Sequence, residues 1–207
     1  MTVIAHTIIR PHRGHSAEAA DRVKRVSSIY ARLGAAVKPS RVIAGPFSDC
    51  LILIRSYPDF RTGAKILAAL SEDSEFAEFV KERDSNPVAD VASGRNISRT
   101  VYGDNKWETH PITHLRTYDI SRDKLAGALE LFPEVQKIVG AADVNIVGMV
   151  PITGENMSSL SVAYQAKSMD HWGEVLDTVG TSDEFQALIA RAAEFGTLRV
   201  SGVMAPI

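Results

Sequence analysis

The chain has 207 residues, of which 45% are hydrophobic and 23% are charged. This is an ordinary globular composition, with enough apolar sequence to form a sizeable core. The formal net charge is −2 and the basic residues are scattered, so no basic patch indicates a nucleic-acid partner. A single cysteine, Cys50, excludes an internal disulfide and is compatible with a reducing compartment.

Residues 1–10 lack the charged and apolar regions of a signal peptide. The longest apolar runs, such as Leu51–Ile54, are far too short to span a bilayer. We therefore expect a soluble, cytoplasmic protein that binds neither membranes nor nucleic acid. A homo-oligomer is compatible with these features.

Hydrophobic periodicity in the first half predicts the element order β-α-β-β-α-β. Ser16 is the predicted N-cap of an amphipathic helix that ends at Gly34. A second helical region has a break near residues 71–74, because its apolar positions fall into two groups on either side. The predicted strands are rich in β-branched residues and bounded by turn residues: 2–10, 41–47, 50–57 and 96–102.

The same order recurs after a polar segment that contains Trp107. A helix restarts at Pro133, and a second, broken helix covers residues 169–193. The predicted strands of this half are 112–120, 144–152, 160–167 and 198–204. We therefore predict an α+β fold of two tandem ferredoxin-like βαββαβ units with antiparallel sheets. The predicted boundaries are 1–103 for the first unit, 104–110 for a linker and 111–207 for the second unit.

Matches between the halves support an internal duplication. His6 and His114 stand at an offset of 108 in first strands of similar sequence. Residues 42–45 resemble 145–148 at an offset of 103, and residues 74–76 resemble 183–185 at an offset of 109. Variable offsets are what changes in loop length would produce. The alternative is a chance alignment of generic amphipathic elements.

The segment Ile112–Tyr118 with Lys124 and Leu125 resembles the opening of NIPSNAP-family domains, and Ser182–Leu188 resembles the end of their second helix. His114 stands where that family has an acidic residue. The broader resemblance is to the dimeric α+β barrel superfamily, which includes antibiotic-biosynthesis monooxygenases and, in duplicated form, chlorite dismutases and dye-decolourising peroxidases. The resemblance implies two four-stranded antiparallel sheets packed face to face with helices outside. Here the duplication would form a single-chain pseudo-dimer.

Strand alternation predicts the candidate site, because alternate side chains share a face. His6 and Arg10 would share one face of the first strand, and His114, Arg116 and Tyr118 the equivalent face of its repeat. Histidine can act as a general base near neutral pH, and arginine or tyrosine can hold an oxyanion or enolate. We predict His6 and His114 as catalytic and the other three as substrate-binding.

Tyr57 and Tyr164 lie on third strands and are predicted to line the same interior as further substrate-binding residues. The alternative is that all of these polar groups are exposed or satisfied by backbone partners. As core aromatics, the two tyrosines would need no function.

Other candidate residues favour structural roles. His12 and His15 lack the third ligand that zinc needs, so no metal site is predicted. His171 could be an axial ligand of haem, but a role at the start of its helix is favoured. Cys50 is interpreted as a small buried hydrophobe.

Three functions remain in competition. The first is a cofactor-independent oxygenase, cyclase or isomerase acting on a small apolar or aromatic molecule. The second is a non-catalytic NIPSNAP-like binding or assembly module. The third is a haem-binding protein, so that haem is the only cofactor considered.

Overall fold

The computed structural model describes residues 2–207. The first half of the chain contains β1 (Val3–Pro11), α1 (Ser16–Arg32), β2 (Ala36–Ala44), β3 (Leu51–Tyr57), α2 (Phe60–Glu72), α3 (Ser74–Ser85) and β4 (Ala89–Tyr102). The second half contains β5 (Ile112–Ile120), α4 (Arg122–Glu130), α5 (Phe132–Gly140), β6 (Asn145–Thr153), β7 (Ser159–Ala166), α6 (Met169–Thr178), α7 (Asp183–Ala192) and β8 (Gly196–Pro206). The predicted element order is confirmed, as are the helix breaks near 71–74 and Pro133.

Three predicted element boundaries are wrong. β2 begins at Ala36 and includes Lys38 and Ser40, whose polar side chains hid the strand pattern. β4 begins at Ala89, because its polar first part pairs with the end of β1. His15, not Ser16, is the N-cap of α1, and no side chain caps that helix.

The eight strands form one closed antiparallel barrel in the order β1-β3-β2-β8-β5-β7-β6-β4. The order within the first half is β4-β1-β3-β2, and the second half repeats it as β8-β5-β7-β6. This is the ferredoxin-like arrangement in both halves. The halves join where β2 pairs with β8 and β4 pairs with β6, so the barrel closes within one chain.

Both faces of the sheet are covered, which explains the continuous apolar run in β3. Leu51 and Leu53 pack with residues of the helices, whereas Ile52 and Ile54 pack with Met204 in the barrel interior. A strand covered on both faces carries apolar residues at successive positions instead of alternating ones. The interpretation of this strand from the sequence is therefore confirmed.

The first and third strands of the two halves correspond at one constant offset. Val3 pairs with Tyr57 in the first half, and Ile112 pairs with Ala166 in the second, so both members of the second pair lie 109 positions later. The second strands follow the same offset, since β2 begins at Ala36 and β6 at Asn145. The offset of 103 proposed for residues 42–45 is therefore wrong.

The same register shows that His6 and His114, at an offset of 108, are not equivalent. The counterpart of His6 is Leu115, and the counterpart of His114 is Ala5. A slip of one residue moves a strand side chain to the opposite face of the sheet. The prediction that His6 and His114 lie on equivalent faces of the two first strands is therefore wrong.

The segment between β4 and β5 packs closely against one end of the barrel. Gly103 has φ of 66°, and a Cβ there would collide with the carbonyl oxygen of Ile146. The backbone N–H of Lys106 donates to Oε1 of Gln165 at 3.0 Å, and Trp107 packs against the interior core. These contacts fix the position of the connection between the halves.

At this end of the barrel, β2 buries a lysine that has no carboxylate partner. Lys38 is 5% exposed, and its Nζ donates to Oγ1 of Thr113 at 2.8 Å. The ammonium also lies 5.9 Å from the ring centroid of Trp107. Desolvation lowers the pKa of Lys38 to about 8, because burial disfavours the charged form.

Replacing Lys38 with Met should raise the free energy of unfolding at pH 7 by on the order of 1–3 kcal/mol, since a buried charge is exchanged for an apolar chain of similar length. The folded pKa of about 8 lies below the ordinary value of 10.5. The unfolded state therefore binds more protons between these values, and the stability of the native protein rises with pH across that window. The advantage of Lys38→Met should shrink accordingly in urea unfolding measured at pH 7 and at about pH 9.5. Lys65→Met, at an exposed position of α2, is the control. An equal increase in the free energy of unfolding for Lys38→Met at both pH values would contradict the lowered pKa of Lys38.

Candidate functional site

Four of the seven predicted site residues converge on the helix-facing side of the second-half sheet. His114, Arg116 and Tyr118 alternate along β5, and Tyr164 lies opposite His114 on β7. Trp172 of α6 packs over them, with its ring 4.9 Å from that of His114 in an edge-on arrangement. We call these five residues the Arg116 cluster.

The start of α6 positions Trp172. Ser168 caps this helix by accepting from the backbone N–H of His171 at 3.0 Å. Nδ1 of His171 accepts from the backbone N–H of Lys167 at 3.2 Å, so Nε2 must carry the proton that it donates to the carbonyl oxygen of Ala142 at 2.8 Å. Both ring nitrogens of His171 are occupied by the backbone. The favoured structural role of His171 is supported, and it has no free nitrogen for haem.

His114 is buried, and only one of its ring nitrogens has a partner. Nε2 lies 2.7 Å from Oγ of Ser201 on β8, whereas Nδ1 has no hydrogen-bond partner. Burial, with a smaller contribution from the charge of Arg116, lowers the pKa of His114 to about 4. The imidazole is therefore neutral at physiological pH.

Arg116 supplies the charge of the cluster. Its guanidinium lies 5.6 Å from the ring centroid of Tyr164, and its Nε is buried without a partner. None of the ion pairs among residues 2–207 includes Arg116. Burial raises the pKa of Tyr118 and of Tyr164, although the charge of Arg116 opposes both shifts. Both phenols are therefore protonated and able to donate a hydrogen bond.

Two cavities adjoin the Arg116 cluster. The larger, of about 270 Å³, is lined by Arg116, Tyr164 and Trp172 together with apolar residues of α5–α7. The smaller, of about 60 Å³, is lined by Tyr118, Tyr164 and apolar residues that include Phe132. An apolar cavity of roughly 150 Å³ is large enough for benzene, so the larger one can hold a substituted aromatic ring. We call it the second-half cavity.

His6 lies on the other side of the barrel wall, in the interior. It lines a cavity of about 310 Å³ with apolar residues such as Ile52 and Met204 and with several serines. Its Nε2 lies 3.4 Å from Nδ2 of Asn96. Burial, with a smaller contribution from Arg55, lowers the pKa of His6 to about 4. The two predicted catalytic histidines therefore lie on opposite faces of the barrel wall, and of the two only His6 lines a cavity.

The remaining predicted residues lie apart from both sites. Arg10 is exposed near the end of β1. Tyr57 packs against Gly63 of α2, where an added Cβ would be 3.3 Å from the tyrosine ring. Tyr57 and Tyr164 both face helices, so the prediction that they line the barrel interior is wrong.

The sequence did not single out Ser201 or Arg55. Ser201 becomes a partner of His114 only because β8 pairs with β5, 87 residues along the chain. Long-range pairing of this kind leaves no local signal. Among the described residues no group of three or more His, Cys, Asp or Glu side chains could hold a metal ion, and no described helix is long and apolar enough to cross a membrane.

Several solved structures match this chain over its whole length. A candidate monooxygenase of Fusobacterium nucleatum superposes with a TM-score of 0.65 at 8% identity, covering 100% of this chain and 93% of the other. The chain has the dimeric α+β barrel fold. An anthrone oxidase-like protein matches with a TM-score of 0.60 at 8% identity, covering 100% and 91%. A heme-binding protein of Thermus thermophilus matches with a TM-score of 0.55 at 9% identity, covering 100% and 91%.

A further solved structure matches only about half of this chain. A NIPSNAP family protein of Agrobacterium tumefaciens matches 51% of this chain and 96% of its own length, with 17% identity and a TM-score of 0.36. No family model and no curated protein matches the chain by sequence. The barrel is therefore identified by its fold alone, and the cytoplasmic location and the homo-oligomer stay predictions.

The ring protons of His6 and His114 should titrate with midpoints near pH 4, because burial disfavours both imidazolium ions. In NMR spectra, their resonances should keep neutral-imidazole positions from pH 8 down to about pH 5. His114→Asn identifies the His114 signal by its loss and should leave the His6 signal in place. A midpoint near the ordinary value of 6.5 for either residue would show that water reaches its ring.

Proposed function

We propose that the second-half cavity binds a small aromatic molecule with an ionisable hydroxyl or enolisable carbonyl, and that the protein is a cofactor-independent oxygenase. One observation carries this proposal: Arg116 presents a cation without a carboxylate partner to a mainly apolar cavity with aromatic walls. A hydrophobic site with one convergent polar group is the usual form of a small-molecule site.

The chemistry follows from the environment of Arg116. In a mainly apolar cavity, a guanidinium stabilises a phenolate or enolate oxygen more than it would in solvent. The negative charge of such an enolate is shared with its carbon atom, which is therefore electron-rich and can reduce dioxygen directly. For an activated methylene the atoms balance as CH2 plus O2 giving C=O plus H2O, so no external reductant is needed.

The other residues of the Arg116 cluster take supporting roles. Tyr164 lines the cavity and is protonated, so it can donate to the same oxygen. His114 contacts Trp172 and Tyr164 but is not among the residues that line the cavity. Its predicted catalytic role becomes a positioning role in this proposal. A catalytic role for His6 stays a prediction for the interior cavity.

No lining residue accepts a proton readily, since the polar ones are Arg116, Tyr164, Trp172 and Gln186. The substrate must therefore lose its proton to bulk solvent as it binds, which requires that it ionise near neutral pH when an arginine lies beside its oxygen. A hydroxylated anthrone is the test substrate of this class, since it combines phenolic hydroxyls with an enolisable carbonyl. The fold shared with a candidate monooxygenase and an anthrone oxidase-like protein supports this substrate class.

The alternative of haem binding is weaker at this cavity. Its lining residues include no histidine, and His114 and His171 both use Nε2 within the protein. The residues around this cavity therefore do not fit haem. The non-catalytic alternative, a binding module, differs from the oxygenase only in lacking turnover.

Arg116→Leu should weaken binding of a dihydroxyanthrone by roughly 10- to 100-fold, because a charge-assisted hydrogen bond is lost. Oxygen uptake should fall by at least the same factor. Fluorescence titration measures the first and an oxygen electrode the second. Arg10→Leu removes an exposed arginine outside the cavity and is the matched control, expected to behave as wild type.

Tight binding without oxygen uptake by the wild-type protein would favour the non-catalytic module. Binding and turnover that are unchanged in Arg116→Leu would reject the site altogether.

A further inference from the structure

The first half of the chain buries an arginine that has no acidic partner. Arg55 of β3 is 2% exposed. Its Nη1 donates to the hydroxyl of Tyr30 at 3.2 Å and its Nη2 to Oγ1 of Thr7 at 2.7 Å. Nε has no partner, and none of the ion pairs among residues 2–207 includes Arg55. Only two of its five N–H donors are thus used, both by neutral groups.

An unpaired buried charge is costly to a protein. Removing an ion from water carries a large free-energy cost, which a counter-ion and further hydrogen bonds offset. The aromatic face of Tyr30, 5.1 Å from the Cζ atom of Arg55, offsets part of this cost. The buried charge of Arg55 therefore indicates a binding site for an anion from outside the protein.

Arg55 lies in the wall of a cavity of about 170 Å³ between the sheet and helices α1 and α3. We call it the first-half cavity. Its remaining walls are mainly apolar: Ile9, Ala19, Val23, Val26, Leu53, Phe76, Phe79 and Val88. A cation at one wall of an apolar cavity fits a ligand with a single anionic group and a small hydrocarbon body.

The other charges at the first-half cavity lie nearer solvent. Arg22 is paired with Glu18 at 2.8 Å and with Glu82 at 3.4 Å. Arg83 and Arg95 are further lining residues that are less buried than Arg55. The one acidic residue of the lining is Asp90, which is exposed and pairs with His12 at 3.1 Å. Positive charge therefore predominates around the cavity, and no carboxylate is committed to Arg55.

We propose that the first-half cavity binds a small monocarboxylate of about the size of benzoate, with the carboxylate paired to Arg55. The planar guanidinium fork matches a carboxylate with two parallel hydrogen bonds. The volume of the first-half cavity, about 170 Å³, is of the size that such a ligand needs. An apolar cavity of roughly 150 Å³ already holds benzene.

This site is separate from the one proposed for oxygenase chemistry. At the offset of 109, Arg55 corresponds to Tyr164, and Thr7 corresponds to Arg116. Each half thus places one arginine between its first and third strands on the helix-facing side, but from different strands. The two cavities occupy corresponding positions in the two halves. The arginine comes from the third strand in the first half and from the first strand in the second half.

Titration of the methyl-labelled protein with sodium benzoate tests the proposal. The methyl resonances of Val23, Val26 and Leu53 should shift saturably, with a Kd below about 1 mM, whereas those of Val139 and Val175 in the second-half cavity report on the other site. Benzamide, a neutral molecule of the same shape, should bind at least roughly tenfold more weakly, since it lacks the charge. Benzoate at 10 mM should also raise Tm by roughly 3 to 6 °C.

Arg55→Met should abolish the benzoate shifts and raise Tm in the absence of ligand, because the unpaired charge is gone. Arg55→Lys keeps the charge without the fork and should bind at least about fivefold more weakly than wild type. Arg116→Leu should leave the shifts of Val23, Val26 and Leu53 unchanged, which separates this site from the proposed function.

Three results would overturn the proposal: no methyl shifts in the wild-type protein, equal affinity for benzoate and benzamide, or wild-type benzoate affinity in Arg55→Lys. None of these depends on whether Arg55→Met folds.

Discussion

The antiparallel pairing of β2 with β8 and of β4 with β6 is the constraint on which the rest of the molecule depends. These two seams close the two half-sheets into one barrel, so the buried parts of the strands have helices on one face and the barrel interior on the other. A buried strand residue therefore has one of two environments, and the parity of its position selects which one. His6 and His114 illustrate this, since a shift of one position separates an interior histidine from one beneath the helices.

Three cations are held in these environments without carboxylates: Lys38 in the interior, and Arg55 and Arg116 beneath the helices. The charge of Arg55, on the outer face, contributes after burial to the lowered pKa of His6 on the inner face. In surroundings of low dielectric, such a charge acts over longer distances than it would at the surface.

Much of the architecture could be predicted from the sequence, because element order and amphipathic period are local properties. The continuous run Leu51–Ile54 indicated a strand covered on both faces, and the first-strand motif at Ile112–Tyr118 indicated the barrel fold. The polar starts of β2 and β4 could not be predicted, since they are strands only because a neighbour pairs with them. Such tertiary pairing overrides local preference.

The candidate site could be predicted only in part, for a related reason. Alternation along β5 correctly grouped His114, Arg116 and Tyr118 on one face. The sequence did not show whether His6 lies on the equivalent face of the first half. That depends on the offset between the halves, which sequence similarity placed at 108 and the strand register places at 109. Arg55 gave no signal at all, because a single arginine inside an apolar strand becomes informative only when its lack of a carboxylate is visible.

Closure within one polypeptide removes a restriction that symmetric assemblies obey. In a dimer of identical chains every residue occurs twice, so a lysine at the position of Lys38 would place two ammonium groups inside the same barrel. Here its counterpart at the offset of 109 is Val147, which is fully buried. Within a single chain, one half can carry a charged interior position while the corresponding position of the other half is apolar, so the two halves can differ in chemistry.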